Sequence, residues 1–81
     1  MNLVTLTEFL IKSIVKEPDM VSVKMFDADD ETSIIEVLVS NNDMGAVIGK
    51  GGHMANSIRT LVQASAYANN LKKVRINFDS I

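Results

Sequence analysis

Val47-Ile48-Gly49-Lys50-Gly51-Gly52-His53 places three glycines and a lysine within four residues, between two stretches that each read as helix. Glycine permits positive φ and lets a second backbone approach without a Cβ in the way. A tight interhelical turn needs one such residue, so three with a lysine among them indicate a loop shaped for a ligand. The loop also delivers the start of the following helix. First-turn N–H groups lack internal partners and, together with the helix dipole, favour phosphate oxygens. Lys50 adds a point charge for one phosphate, so the loop reads as a holder for a sugar-phosphate backbone. Other phosphate loops fit poorly. A P-loop leaves four residues between its first glycine and a Gly-Lys that Ser or Thr follows, whereas Gly45 and Gly49 are separated by three and Gly51 follows Lys50. A dinucleotide fingerprint opens directly from a strand and would put its third glycine where Met54 stands.

Working outward, a helix is expected from about His53 to Ala68, with Ala55, Ile58, Val62 and Ala66 on its inner face and Asn69-Asn70 at its end. Before the loop, Asn41, Asn42 and Asp43 offer N-cap side chains for a short helix through about Ile48. Ile34 to Val39 is rich in β-branched residues, with Glu36 its only charge, and suits the middle of a sheet. Val21, Val23 and Met25 alternate with Ser22 and Lys24 as a strand, and the acidic turn Asp27–Thr32 joins the two into a hairpin. Val74, Ile76 and Phe78 alternate with Lys73, Arg75 and Asn77 in a last strand. Near the N-terminus, Thr5 and Glu8 stand in capping-box spacing, which starts a helix near Thr5 or Leu6 with Val4 and Phe9 as its staple. Leu6, Phe9, Leu10, Ser13 and Ile14 form its stripe, and Pro18 stops it at about Lys16. The order α-β-β-α-α-β defines an α+β fold with helices on one face of a three-stranded mixed sheet. The crossover through two helices makes the last two strands parallel. Lys73 and Arg75 fall on the open face, with Arg75 read as facing Glu36.

Eighty-one residues are expected to form one domain, 1–81. A chain of this size buries only about 60–65% of its unfolded surface, so stability is thin. With no cysteine and a lone His53, disulfides and metal cages are excluded, which leaves oligomerisation as the available support. No run of about 18 apolar residues spans a membrane, and the start Met1-Asn2-Leu3-Val4-Thr5 has no export-signal character, so a soluble cytoplasmic protein is expected. The net charge of −2 argues against a general nucleic-acid coat, but its distribution is uneven. Residues 1–49 hold three lysines against nine carboxylates, while Lys50, Arg59, Lys72, Lys73 and Arg75 face Asp79 alone in residues 50–81. An anionic ligand should therefore meet the second half. No Ser-His-Asp set, carboxylate pair or metal-ligand cluster can be assembled, so neither an enzyme nor a cofactor is expected.

The stretch Val47–Gly52 resembles the V-I-G-K-x-G core of KH domains. Asp43-Met44-Gly45 before it, Ser57-Ile58-Arg59-Thr60-Leu61-Val62 after it and Lys73-Val74-Arg75-Ile76 in the last strand extend the likeness. At full length and in this element order the chain resembles the small bacterial single-KH proteins of the KhpA-like family, of type II topology. That resemblance implies single-stranded RNA binding, with a GXXG loop gripping the backbone of about four nucleotides. It also implies a non-catalytic role as an RNA chaperone or post-transcriptional regulator. In such domains bases lie over an aliphatic groove, for which Val47, Ile48, Ile58, Val37 and Val39 are the candidates. The RNA-binding set is then Val47, Ile48, Gly49, Lys50, Gly51, Gly52, His53, Ile58 and Arg59, with Arg59 either reaching RNA or pairing with a carboxylate. Phe9, Phe26, Tyr67 and Phe78 do not adjoin the loop, so stacking there is not the main source of affinity. His53 stands where the family commonly carries a basic residue. A neutral imidazole attracts phosphate less than a guanidinium, so the grip should be weaker and sensitive to acidity.

Leu61 lies off the Ile58–Val62 stripe, beside Met54, Ser57 and Ser65. An exposed apolar strip on a marginal domain suggests a partner surface. The resemblance implies self-association and pairing with a larger KH-containing protein of the KhpB, Jag or EloR type. A homodimer with Met54, Ser57, Leu61 and Ser65 in its seam is therefore expected. The competing function is an adaptor that acts through such pairing, in cell elongation and envelope control.

Overall fold

Strand β2, Thr32–Val39, runs through the middle of the sheet in the computed structural model, which describes residues 2–81. Strand β1, Ser22–Asp27, lies antiparallel on one side, with Val23 opposite Val37 and Phe26 opposite Ile34. Strand β3, Lys73–Ser80, lies parallel on the other, with Ile76 opposite Ile35 and Phe78 opposite Val37. The central position explains the sequence of β2. Ser33, Ile35, Val37 and Val39 are buried on one face while Glu36 alone between them is exposed. Helices α1 (Leu3–Lys12), α2 (Met44–Ile48) and α3 (His53–Ala68) supply the other half of the core, through Leu3, Ile11, Val47, Ile58, Val62 and Ala66. The α-β-β-α-α-β order, the mixed sheet and the boundaries of α3 agree with the sequence reading.

Helix α1 differs from it at both ends. Asn2 is the N-cap, its Oδ1 accepting the Thr5 N–H at 2.8 Å, so the helix opens at Leu3 and Thr5 lies inside it. The capping box and staple expected at Thr5 therefore do not form. The helix closes at Lys12, well before Pro18, because the next turn is bonded elsewhere. The buried Asp43 carboxylate accepts the Lys16 N–H at 2.9 Å and the Glu17 N–H at 3.0 Å, drawing those groups away from α1. The buried face is Leu3, Thr7 and Ile11, flanked by Leu6, Leu10 and Ile14, and Phe9 is exposed. Thr7 carried no hydropathy signal, yet it sits in the core with its hydroxyl donating to Leu3 O at 2.7 Å. That bond removes the penalty of burying it.

Two further expectations change. Asp43 makes no cap for α2, its carboxylate being spent on residues 16 and 17. Ser40 caps the preceding turn instead, its hydroxyl accepting the Asn42 N–H. On the open face of the sheet, Arg75 stands opposite Ile34, and Glu36 opposite Asn77. Parallel register puts Arg75 and Glu36 one step out of line, and no ion pair joins them. No helix among the described residues is long and apolar enough to cross a membrane.

Candidate nucleic-acid interface

Helix α2 ends in a bond from Gly49 N–H to Gly45 O, and the chain then reverses in four residues. Gly49 has φ 76° and ψ 172°, a region open essentially to glycine alone. A Cβ there would lie 2.6 Å from Met54 Cβ and 2.8 Å from Met54 N, so the loop is folded directly onto the first turn of α3. Gly51 and Gly52 also have positive φ, 62° and 81°. Inside the turn, Gly52 N–H bonds Gly49 O and His53 N–H bonds Lys50 O. No bond among the described residues takes up the Lys50 or Gly51 N–H. The donors available to an anion thus begin two residues earlier than helix geometry alone suggests. The exposed Lys50 side chain forms no ion pair among the described residues, and the exposed His53 places its ring beside Gly51.

The aliphatic groove expected beside the loop is not open. Val47, Ile58, Val37 and Val39 are each at most 3% exposed and belong to the core. The reason is topological: β2 is central, and the side chains it turns toward the helices are covered by them. Of the five candidates only Ile48 retains surface. The others support the loop from beneath.

An open groove lies instead between α3 and the free edge of β3. Lys73 N–H and Ile81 N–H bond toward β2, so the even-numbered residues of β3 direct their backbone groups outward. Arg59 Nε donates to Ile76 O at 3.2 Å, its Nη1 to Asn56 Oδ1 at 3.1 Å, and its guanidinium lies 5.0 Å from the centre of the Phe78 ring. Gln63 Nε2 donates to Val74 O at 3.0 Å. Among the described residues Arg59 pairs with no carboxylate. Asn56, whose amide lies 3.9 Å from where a Gly52 Cβ would be, connects this groove to the loop. Asn56 and Gln63 escaped the sequence reading, although their three- and four-residue spacing about Arg59 marks one polar face of α3.

On another face of α3, Met54 and Leu61 are 38% and 54% exposed, with Ser57 exposed and Ser65 half-buried beside them. At the far end of the molecule, Lys72 Nζ pairs with Asp27 Oδ2 at 3.2 Å, and Ser33 Oγ donates to Asp27 Oδ1 at 3.1 Å. The Lys72 hydrogen bond first, and the Ser33 bond second, hold the Asp27 carboxyl below its ordinary value of 3.8.

The element order, with a glycine loop between the paired helices, defines a KH domain of type II. The family described as "KhpA/KhpB, KH domain" matches residues 4–78, and the chain belongs to it. Membership makes it a binding module rather than an enzyme, as its sequence implied. Similar proteins named "RNA-binding protein KhpA" include one of Clostridium perfringens, 45% identical over 85% of this chain and 91% of its own length. Another, of Borreliella burgdorferi, is 39% identical over 85% and 83%. One of Halalkalibacterium halodurans is 39% identical over 95% and 96%. Among solved structures, Era in complex with MgGDPNP and nucleotides 1506–1542 of 16S ribosomal RNA matches 96% of this chain and 29% of its own. Its TM-score of 0.66 at 18% identity bears on the fold alone.

Proposed function

We propose that this protein binds single-stranded RNA without catalysis, the Gly49–Gly52 loop holding the phosphate backbone and the α3–β3 groove receiving bases. The observation that carries this reading is the loop itself: three positive-φ glycines folded onto α3, two unspent N–H groups and an unpaired lysine. Each is a feature that phosphate rewards and a plain interhelical turn does not need. The RNA-binding name of similar proteins agrees with it. The base-side contacts of this reading come from Asn56, Arg59 and the outward N–H of Ile76, with Ile48 at the loop end. Few cations and a short footprint make single-site binding weak, which suits an RNA chaperone or post-transcriptional regulator acting in the cytoplasm on many RNAs.

A test replaces Lys50 and Gly51 by Asp together. Aspartate tolerates left-handed backbone, and a Cβ at Gly51 meets only ordinary contact with the His53 ring, 3.7 Å away, so the fold survives. Aspartates repel phosphate, so RNA crosslinking is expected to disappear. Crosslinking that survives unchanged removes the loop from the binding site.

The exposure of Met54 and Leu61 favours a second reading, in which the chain dimerises through Met54, Ser57, Leu61 and Ser65 and pairs with a KhpB-like protein as an adaptor. The two readings combine, since a dimer presents two loops to one RNA and raises avidity. Light scattering of Leu61→Lys against the unmodified protein decides the seam: the dimer-sized particle should become monomer-sized, and equal particles in both would defeat it.

A further inference from the structure

Asn56, Arg59, Gln63 and Tyr67 follow one another at helical spacing along the face of α3 that borders the free edge of β3. Over about 17 Å of helix they lead away from the glycine loop. The groove at Arg59, Gln63, Arg75 and Ile76 shares Gln63 and Arg75 with a larger cavity of about 440 Å³ beyond it. The floor of that cavity is the buried pair Ala66 and Val74, and its rim carries Tyr67, Leu71, Lys73 and Arg75. Tyr67 is 85% exposed, the most exposed large hydrophobic residue described. Among the described residues no cation lies over its ring, while Phe78 carries the only cation–π contact. Lys72 is held by Asp27, but among the described residues Lys73 and Arg75 have no carboxylate within ion-pair distance.

We infer that this far end of α3 is a second RNA contact: Tyr67 stacks a base beyond those held near the loop, and Lys73 and Arg75 hold the adjoining phosphates. The inference rests on the RNA reading above and extends its footprint. A charged groove ending in an unpartnered aromatic ring is the combination by which single strands are held without sequence preference. Charge also sets where the strand stops. Lys73 N–H bonds Glu31 O, so the acidic turn 27–31 walls off the end of the groove, and phosphates running past it would meet Asp29, Asp30 and Glu31. The occupant is thus a short continuation of the strand gripped by the loop.

Two single-stranded RNAs of mixed sequence, of about four and about twelve nucleotides, separate this contact from the loop in an NMR titration. Tyr67→Ala is expected to weaken the longer RNA about tenfold and to leave the shorter unchanged, while Tyr67→Phe, which keeps the ring, behaves as the unmodified protein. Lys73→Gln should weaken the longer RNA alone. The Lys50, Gly51 double aspartate should abolish both. If Tyr67→Ala leaves both affinities unchanged, or lowers both equally, the second contact does not exist even though the loop reading stands. If Tyr67→Ala keeps its RNA affinity but changes particle size in light scattering, the ring belongs to a protein seam and the inference is overturned. If the unmodified protein binds neither RNA, the RNA reading itself falls and this inference with it.

Discussion

Gly49 shows how much of the site depends on a single missing Cβ. Its backbone conformation is open essentially to glycine, and a Cβ added to it would lie 2.6 Å from Met54 Cβ and 2.8 Å from Met54 N, closer than a side chain can approach. Gly49→Ala is expected to cost about 1–3 kcal/mol from backbone strain alone, with the clash adding to it. Urea denaturation read by circular dichroism measures this loss. The glycine run was legible in the sequence because spacing and residue type carry its meaning directly. The burial of Val47, Ile58, Val37 and Val39 was not, since apolar residues beside a loop look alike whether they line a groove or fill a core. Only the packing of α2 and α3 onto a central β2 distinguishes the two. Asp27 gives a second prediction at this scale. Its folded pKa is depressed by Lys72 and Ser33, so the pairing contributes stability above the ordinary carboxylate value of 3.8, and that contribution is lost as pH falls through the folded value. Below about pH 4, the melting temperature of Asp27→Asn should therefore fall less steeply than that of the unmodified protein, as calorimetry across pH would record.

Among the elements, α1 and α2 are joined by one carboxylate. Asp43 opens α2 and binds the backbone of residues 16 and 17, so the segment that follows α1 is tied to the start of the loop-bearing helix. Asp43→Ala leaves two partly buried N–H groups without partners and should cost roughly 2–4 kcal/mol. The amides of Lys16 and Glu17 would then exchange with solvent faster, which hydrogen exchange detects. This tie also explains why the N-terminal helix was the least legible element. Its early stop goes with a bond from Lys16 to a residue 27 positions further on, and no local rule around Pro18 could have indicated it. Helix α3 was the opposite case: a buried stripe of Ala55, Ile58, Val62 and Ala66, a glycine start and an Asn-Asn end are all local signals. Its second, polar face passed unnoticed. Gln63, like Arg59, acquires meaning only once β3 lies beside it with its outer carbonyls to satisfy.

At the scale of the whole molecule, charge is segregated as the sequence indicated, and the fold turns that segregation into a direction. Arg59, Arg75 and Lys73 line one groove between α3 and the start of β3, and the acidic hairpin turn closes its end. A net charge of −2 and so few aligned cations imply a shallow salt dependence. With about three phosphates neutralised at about 0.7 each, log affinity should fall with log salt at a slope near −2. Lys73→Gln should reduce that slope by about 0.7 on a long RNA, which affinities at several salt concentrations will reveal. The central claim is that the glycine loop grips RNA, and amide chemical shifts during titration with a single-stranded RNA test it most directly. The account predicts that Gly49 to His53 move first and furthest, followed by Asn56, Arg59 and Ile76 along the groove. Saturable shifts elsewhere, with the loop amides unmoved, would contradict it.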